Sequence, residues 1–231
     1  MLKYYFIFLM LPLLGSGQFK NGIVEYKVIS YMTHSVTEIK DSDMKNLSYT
    51  LKFNENESIF YVNDYPGIID AQVYKNLLIA SNCNEIYYKE NKSNSYFMHI
   101  NDEEFGEAIV EYPNLPNWEM TTDSKLISGY KCYKAICYQN DFGPPGKAKT
   151  LKIIAWYCPQ LSVSIGPKGL AGLPGLILET EEPTRNIIFS ASSVKLYISE
   201  KITVTKPTKG KLLSERQYRE LVQDWIDSNY K

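Results

Sequence analysis

"SGYKCYKAICYQ" (Ser128–Gln139) and "LKIIAWYC" (Leu151–Cys158) flank "NDFGPPGKAK" (Asn140–Lys149). These three blocks decide the fold. The middle one holds two prolines and two glycines and reads as a loop. The outer two are rich in aromatic and β-branched residues and read as strands. Together they form a β-hairpin. Its neighbours on both sides follow the same grammar. "NLSYTLKF" (46–53) puts Leu47, Tyr49, Leu51 and Phe53 on one face and Ser48, Thr50 and Lys52 on the other, the period-2 signature of a half-buried strand. "GIVEYKVISY" (22–31) alternates Val24, Tyr26 and Val28 against Glu25 and Lys27. Further strands read at "SIFYV" (58–62), "AQVYKNLLIA" (71–80), "EIYYKE" (85–90), "SYFMHI" (95–100) and "EAIVEY" (107–112). The polar stretches "NENE" (54–57) and "NKSN" (91–94) join them as hairpin loops. After the central hairpin come "GLILETEE" (175–182) and "NIIFSASSVKLYI" (186–198).

Past "VTKPTKGK" (204–211) the period changes. Ser214 with Gln217 three residues on is a capping box, and Leu213 with Tyr218 has the spacing of a hydrophobic staple. Tyr218, Leu221, Val222, Trp225 and Ile226 then recur at helical spacing, with Arg219, Glu220, Gln223 and Asp224 on the other face. The sequence therefore predicts a mainly β, β-rich α+β domain. It is one large curved antiparallel sheet or open barrel of meandering hairpins with a C-terminal amphipathic helix. No repeat or Pro- or Ser-rich linker divides residues 18–231, so a single domain is expected.

The first residues stand apart. Lys3 is followed by an apolar run from Tyr4 to Leu14 and by Gly15, Ser16 and Gly17, the three-part layout of a secretory signal peptide. The apolar run is shorter than the roughly 20 residues of a spanning helix. Residues 1–17 are expected to be a signal peptide cut after Gly17. The mature chain from Gln18 would then be exported to the periplasm or cell envelope without a membrane span. The formal net charge of −1 becomes −2 when Lys3 is removed. Such a balance provides no electrostatic footprint for nucleic acid or anionic lipid.

An oxidising compartment permits disulfides among Cys83, Cys132, Cys137 and Cys158. If the hairpin is symmetric about Pro145, Cys132 lies opposite Cys158. Cys132 and Cys137 are an odd number of residues apart and face opposite sides of one strand. Cys132–Cys158 is the expected pair, and four reduced, buried thiols are the open alternative.

Catalytic signatures are mostly missing. The sequence has His34 and His99 but no G-x-S-x-G, HExxH or CxxC motif, and no phosphate-binding glycine loop. No catalytic residue, metal ligand or cofactor is nominated from these patterns. "DFG" (Asp141–Gly143) lacks every companion a kinase needs. The acidic clusters "NDEEFGE" (101–107) and "ETEEP" (179–183) read as solvated loops, although Asp102, Glu103 or Glu104 could serve a carboxylate-dependent hydrolase.

One stretch remains, "GPKGLAGLPGLILET" (Gly166–Thr180). Gly166-Pro167 makes a turn, Pro174 holds Leu173 extended, and Gly175 permits close approach to a neighbour. This is a corner with an apolar lining or, alternatively, the rim of a cavity formed by Gly172, Leu173, Pro174, Gly175 and Leu176. Together with "AWY" (155–157) and "ISGYKCYKA" (127–135), the "GLPGLILE" block (172–179) resembles the GLPGLI family of secreted bacterial envelope proteins. The resemblance covers roughly Trp118 to Glu182. It implies an envelope location and no assigned activity, so no functional residue can be transferred. It also implies that Cys132 ordinarily lacks a fixed partner, which would make a Cys132–Cys158 bond peculiar to this chain. The reading that follows is a non-enzymatic carrier for an apolar ligand. The alternatives are an accessory protein that binds an outer-membrane transport or secretion assembly, and the hydrolase.

Overall fold

A computed structural model describes residues 21–30, 41–141, 149–197 and 201–229. The expected signal peptide and the tip of the central hairpin lie outside these residues. The elements run β1 (Asn21–Ser30), α1 (Asp41–Asn46), β2 (Ser48–Phe53), β3 (Glu57–Val62), α2 (Ala71–Ser81), β4 (Ile86–Glu90), β5 (Tyr96–Asp102) and β6 (Gly106–Tyr112). Next come β7 (Glu119–Ile127), β8 (Tyr130–Asp141), β9 (Lys149–Cys158), a 3-10 turn (Pro167–Gly169), β10 (Leu176–Glu182), β11 (Ile187–Tyr197), β12 (Lys211–Ser214) and α3 (Glu215–Asn229).

All twelve strands share one sheet in the order β12-β6-β5-β4-β3-β2-β1-β11-β10-β9-β8-β7. Two antiparallel meanders meet at β1 and β11, which pair from Asn21–Tyr197 to Ser30–Ile187. The sheet is open and mixed rather than wholly antiparallel, because β12 runs parallel to β6. The linking segment explains this. Residues 201–209 cross the back of the sheet, where the Ile202 carbonyl accepts from the Asn54 amide at 3.1 Å and Lys206 sits 4.4 Å above the Phe97 ring. The chain thus reaches the far edge before it starts its last strand.

Cross-strand neighbours point to the same side of a sheet, so the registers trace the inner face directly. One row runs Val110–Met98–Tyr87–Phe60–Leu51–Val24 across six strands. A second runs Val28–Phe189–Thr180–Ala155–Ala135–Met120 across β1 and the other meander. The alternation read in residues 47–53 holds, with Leu47, Tyr49, Leu51 and Phe53 all buried. Burying each such side chain stabilises the fold by about 1.5–3 kcal/mol. The tyrosines contribute rings and hydroxyls together. Tyr26 and Tyr49 pack edge-on and face-on against Phe60, Tyr26 donates to the Ile177 carbonyl at 2.7 Å, and Tyr49 donates to the Cys83 carbonyl at 2.8 Å. The tyrosine bias of the sequence is thereby put to use.

One element differs from the sequence reading. Residues 71–80 form a helix, not a strand. Asp70 caps it by accepting from the Gln72 and Val73 amides, Asn82 closes it in a left-handed conformation, and Leu77, Leu78, Ala80 and Ser81 are buried. The cap outweighs the strand propensity of "QVY". Two strands escaped the reading, the charged edge β7 and the four-residue β12.

The central hairpin has the predicted symmetry. Its pairs run from Asp141–Lys149 through Cys137–Ile153 to Tyr133–Tyr157.

Candidate functional site

The glycine- and proline-rich stretch divides into two parts with different fates. Its first part, Gly166–Leu170, is a short excursion pinned at its base by an Ile165–Ala171 bridge. Lys168 adopts a left-handed backbone (φ 55°) and Gly169 follows at φ 72°, so the chain doubles back, with the Leu170 amide donating to the Pro167 carbonyl at 3.0 Å. The excursion lies over the inner face against β3, β4, β5 and β10. Gly169 is required there, since a Cβ would sit 2.5 Å from the Tyr96 ring. Tyr96 in turn stacks flat on Tyr112, with centroids 4.7 Å apart.

Beside this excursion lies a cleft of about 310 Å³ between the two meanders, at the small end of the range for ligand pockets. Tyr87, Tyr96, Met98 and Tyr112 come from β4–β6, Leu151 and Ile153 from β9, Leu170 from the excursion, and Tyr218 and Val222 from α3. The predicted capping box orients α3. Its Gln217 amide donates to the Ser214 hydroxyl at 3.3 Å and the Gln217 side-chain oxygen accepts from the Ser214 amide at 2.9 Å. The apolar stripe of the helix thus meets the cleft, although none of its residues is fully buried. Trp225 packs edge-on against Phe105, which also lines the cleft.

One wall is charged. The Lys168 ammonium donates to Glu182 at 2.6 Å, Arg185 donates to Glu182 at 2.9 Å and to Asp141 at 2.7 Å, and Lys149 lies 3.6 Å from Asp141. Positive and negative groups alternate along this chain. Burial alone would lower the Lys168 pKa, but Glu182, together with Cys83 and Glu85, outweighs it and the ammonium is held above its ordinary value of 10.5. Burial likewise pushes Glu182 up, and Lys168 and Arg185 overcome it, so its carboxyl lies below 4.5. The facing phenols stay protonated. Burial raises Tyr96 and Tyr112 far above the usual range, and pushes Tyr218 up to about 12. The cleft therefore offers aromatic faces, neutral hydroxyls and a lining in which Lys168, Arg185 and Arg219 stand against Glu85, Asp141 and Glu182.

In the second part of the stretch Leu173, Gly175 and Leu176 are buried, while Gly172 and Pro174 are exposed. Of the five expected rim residues, Gly172, Leu173, Pro174, Gly175 and Leu176, none lines the cleft. Leu173 is 2% exposed and packs with Ala135, Ile153, Tyr157 and Ile177. Leu176 is fully buried and pairs with Cys158. At Gly175 a Cβ would lie 2.2 Å from the Cys158 carbonyl oxygen, so backbone meets backbone there. Gly172 has φ 95° and its amide donates to the Ser164 hydroxyl, while Trp118 donates to the Ala171 carbonyl at 2.8 Å.

The acidic trio lies elsewhere, at the β5–β6 turn. Asp102 accepts from the Glu104 and Phe105 amides, and exposed Glu103 pairs with Lys75. All four cysteines are buried free thiols. Among the described residues no group of three or more His, Cys, Asp and Glu is placed to hold a metal ion, and no helix is long and apolar enough to cross a membrane.

Sequence reasoning missed Tyr96, Tyr112, Lys168, Glu182 and Arg185 as a group. One local signal was available: Lys168 is a charged residue set between Pro167 and Gly169 inside an apolar block.

A family described as "Protein of unknown function (Porph_ging)" matches residues 145–179, the span of β9, the excursion and the buried corner. No curated relative matches the sequence. The fold is similar to that of PNGF-II in two crystal forms. The P21 form has a TM-score of 0.53 at 15% identity, and the C2 form 0.52 at 17%, each over 90% of this chain. The chain spans about a third of PNGF-II, 34% and 33% of the two chains. At such identities the likeness is one of fold.

Proposed function

We propose that this protein is a non-enzymatic binding or carrier module of the bacterial cell envelope, of the GLPGLI type, exported by a signal peptide cut after Gly17. Its ligand is a small amphipathic molecule, with a flat apolar body that lies on the Tyr87–Tyr96–Tyr112 wall and polar groups that meet Tyr218 and the Lys168–Glu182–Arg185 row. The observation that carries this reading is the tyrosine-walled cleft of about 310 Å³. Counted over its lining, Lys168, Arg185 and Arg219 balance Glu85, Asp141 and Glu182, which suits recognition of neutral or zwitterionic groups better than catalysis. The purely apolar ligand expected from sequence gives way to an amphipathic one, because half of the wall is polar.

Native mass spectrometry of the chain purified from its own envelope tests the proposal. The expected spectrum shows a mature chain beginning at Gln18 with an added mass that leaves on denaturation. A Val222→Trp variant, which fills the cleft from α3, should lose that mass while keeping its fold. Retention of the mass by the filled variant would sink the assignment to this cleft. A ligand-free wild-type chain in every preparation would sink the carrier reading.

A further inference from the structure

Continued by one residue, the register that ends at Tyr133–Tyr157 sets Cys132 opposite Cys158. Cross-strand partners share a face, and both side chains are completely buried in the same core cluster. Their outer neighbours are Lys125 on β7 and Leu176 on β10, so the pair lies in the middle of four consecutive strands. Cys137 faces the opposite side, opposite Ile153, and Cys83 lies beyond β2 near Tyr49. We propose that Cys132 and Cys158, separate thiols in this structure, close a disulfide on oxidation that clamps the base of the β8–β9 hairpin behind the Gly175–Leu176 corner, and that the bond forms during folding, before β7 and β10 dock.

The chemistry balances as a thiol–disulfide exchange with a disulfide-bearing oxidant of the envelope. One cysteine thiolate attacks the oxidant's disulfide, gives a mixed disulfide and expels one oxidant thiol. The other cysteine attacks the mixed disulfide, closes the Cys132–Cys158 bond and expels the second oxidant thiol. Two protein thiols are oxidised, one oxidant disulfide is reduced, and the two protons pass to the departing thiols. The order of events follows from burial. In the folded chain neither sulfur meets solvent, and burial, then the neighbouring Cys158, pushes the Cys132 thiol up to about 12, where the reactive thiolate is scarce. The oxidant must therefore act while the hairpin is still open.

The exported chain, denatured and treated with a maleimide before and after reduction, tests the bond. Two labels per chain before reduction and four after, with a linked peptide pair that holds Cys132 and Cys158, is the expected result. Four labels without reduction, or a linked pair that includes Cys83 or Cys137, overturns it. The timing has its own test on the same chain. Refolded fully reduced and then given oxidised glutathione, it should keep four thiols, whereas refolding in the presence of oxidised glutathione should leave two. Equal and rapid oxidation of the folded chain overturns the folding-stage claim. The melting temperature should fall on reduction, and the Cys158→Ala variant should show no such fall. A wild-type chain indifferent to reduction counts against the clamp.

Discussion

Gly166–Leu170 and Gly172–Leu176 are neighbours in sequence with nearly the same composition, yet one serves the cleft and the other only the core. The first carries Lys168, whose charge has to be matched by Glu182, and that need draws the backbone over the inner face. The second carries Leu173 and Leu176, which are satisfied by burial on opposite sides of the sheet. A single charged residue separates a wall from a plug. Dense glycine and proline therefore identify a place of close approach, and the side chains between them determine what is approached.

The largest effect expected from testing this contrast is at the charged row. Glu182→Gln leaves Lys168 and Arg185 without their shared anion and should cost about 3–5 kcal/mol, measured by urea unfolding, while also emptying the cleft. The pH dependence has a fixed sign. With its folded pKa below 4.5, Glu182 contributes stability that is complete above that value and is lost as pH falls through the folded pKa. Lys168, held above 10.5, contributes stability that is complete below that value and is lost as pH rises through its folded pKa. The variant should flatten the acid limb of the stability profile, and an unaltered limb would show that the row does not act as a unit.

Next in size is Leu173→Ala, expected to cost about 2–5 kcal/mol through the cavity it leaves. Its ligand occupancy should stay as in the parent once stability is allowed for. Lost occupancy at unchanged fold would return Leu173 to the role of a rim.

The two glycines with positive φ separate the arms more finely. A left-handed alanine costs about 1–2 kcal/mol, and Gly172→Ala should cost little more, since its nearest foreign atom is 3.6 Å from the built Cβ. Gly169→Ala adds a collision with Tyr96 and should unfold at lower denaturant than Gly172→Ala. Equal midpoints would break the distinction. The smallest expected effect on stability is Tyr96→Phe, about 1 kcal/mol for the loss of one buried hydroxyl, with loss of bound ligand as its signature in native mass spectra.

Much of the sheet was legible because alternation is local. Leu47 to Phe53 state their own face, and the loop centred on Pro145 states its own register. The Ser214–Gln217 cap likewise announced α3. Helix α2 was misread because its strongest signal, Asp70, lies outside the apolar run it caps. β12 carries too few residues to show a period, and its direction depends on where the preceding segment crosses the sheet. The cleft was illegible for a deeper reason. Tyr96 belongs to one meander, Glu182 to the other and Tyr218 to a helix, and only the curvature of the whole sheet brings them together. Sequence patterns show which face a residue takes, but not which distant face it will meet.

The place of β1 bears on how the molecule comes into being. Of the described strands this one is made first, yet it occupies the middle of the sheet, and Val28 waits for Phe189 as its partner. During synthesis the first meander can assemble from β1 to β6, but one long side of β1 stays bare until almost the entire chain is available. Pairings so distant in sequence form slowly. Under the proposed export, that delay would help the chain cross a membrane unfolded, because its central seam cannot close ahead of translocation. The same delay leaves an adhesive strand open to other copies, so yield in overexpression should depend on how quickly the second meander follows the first.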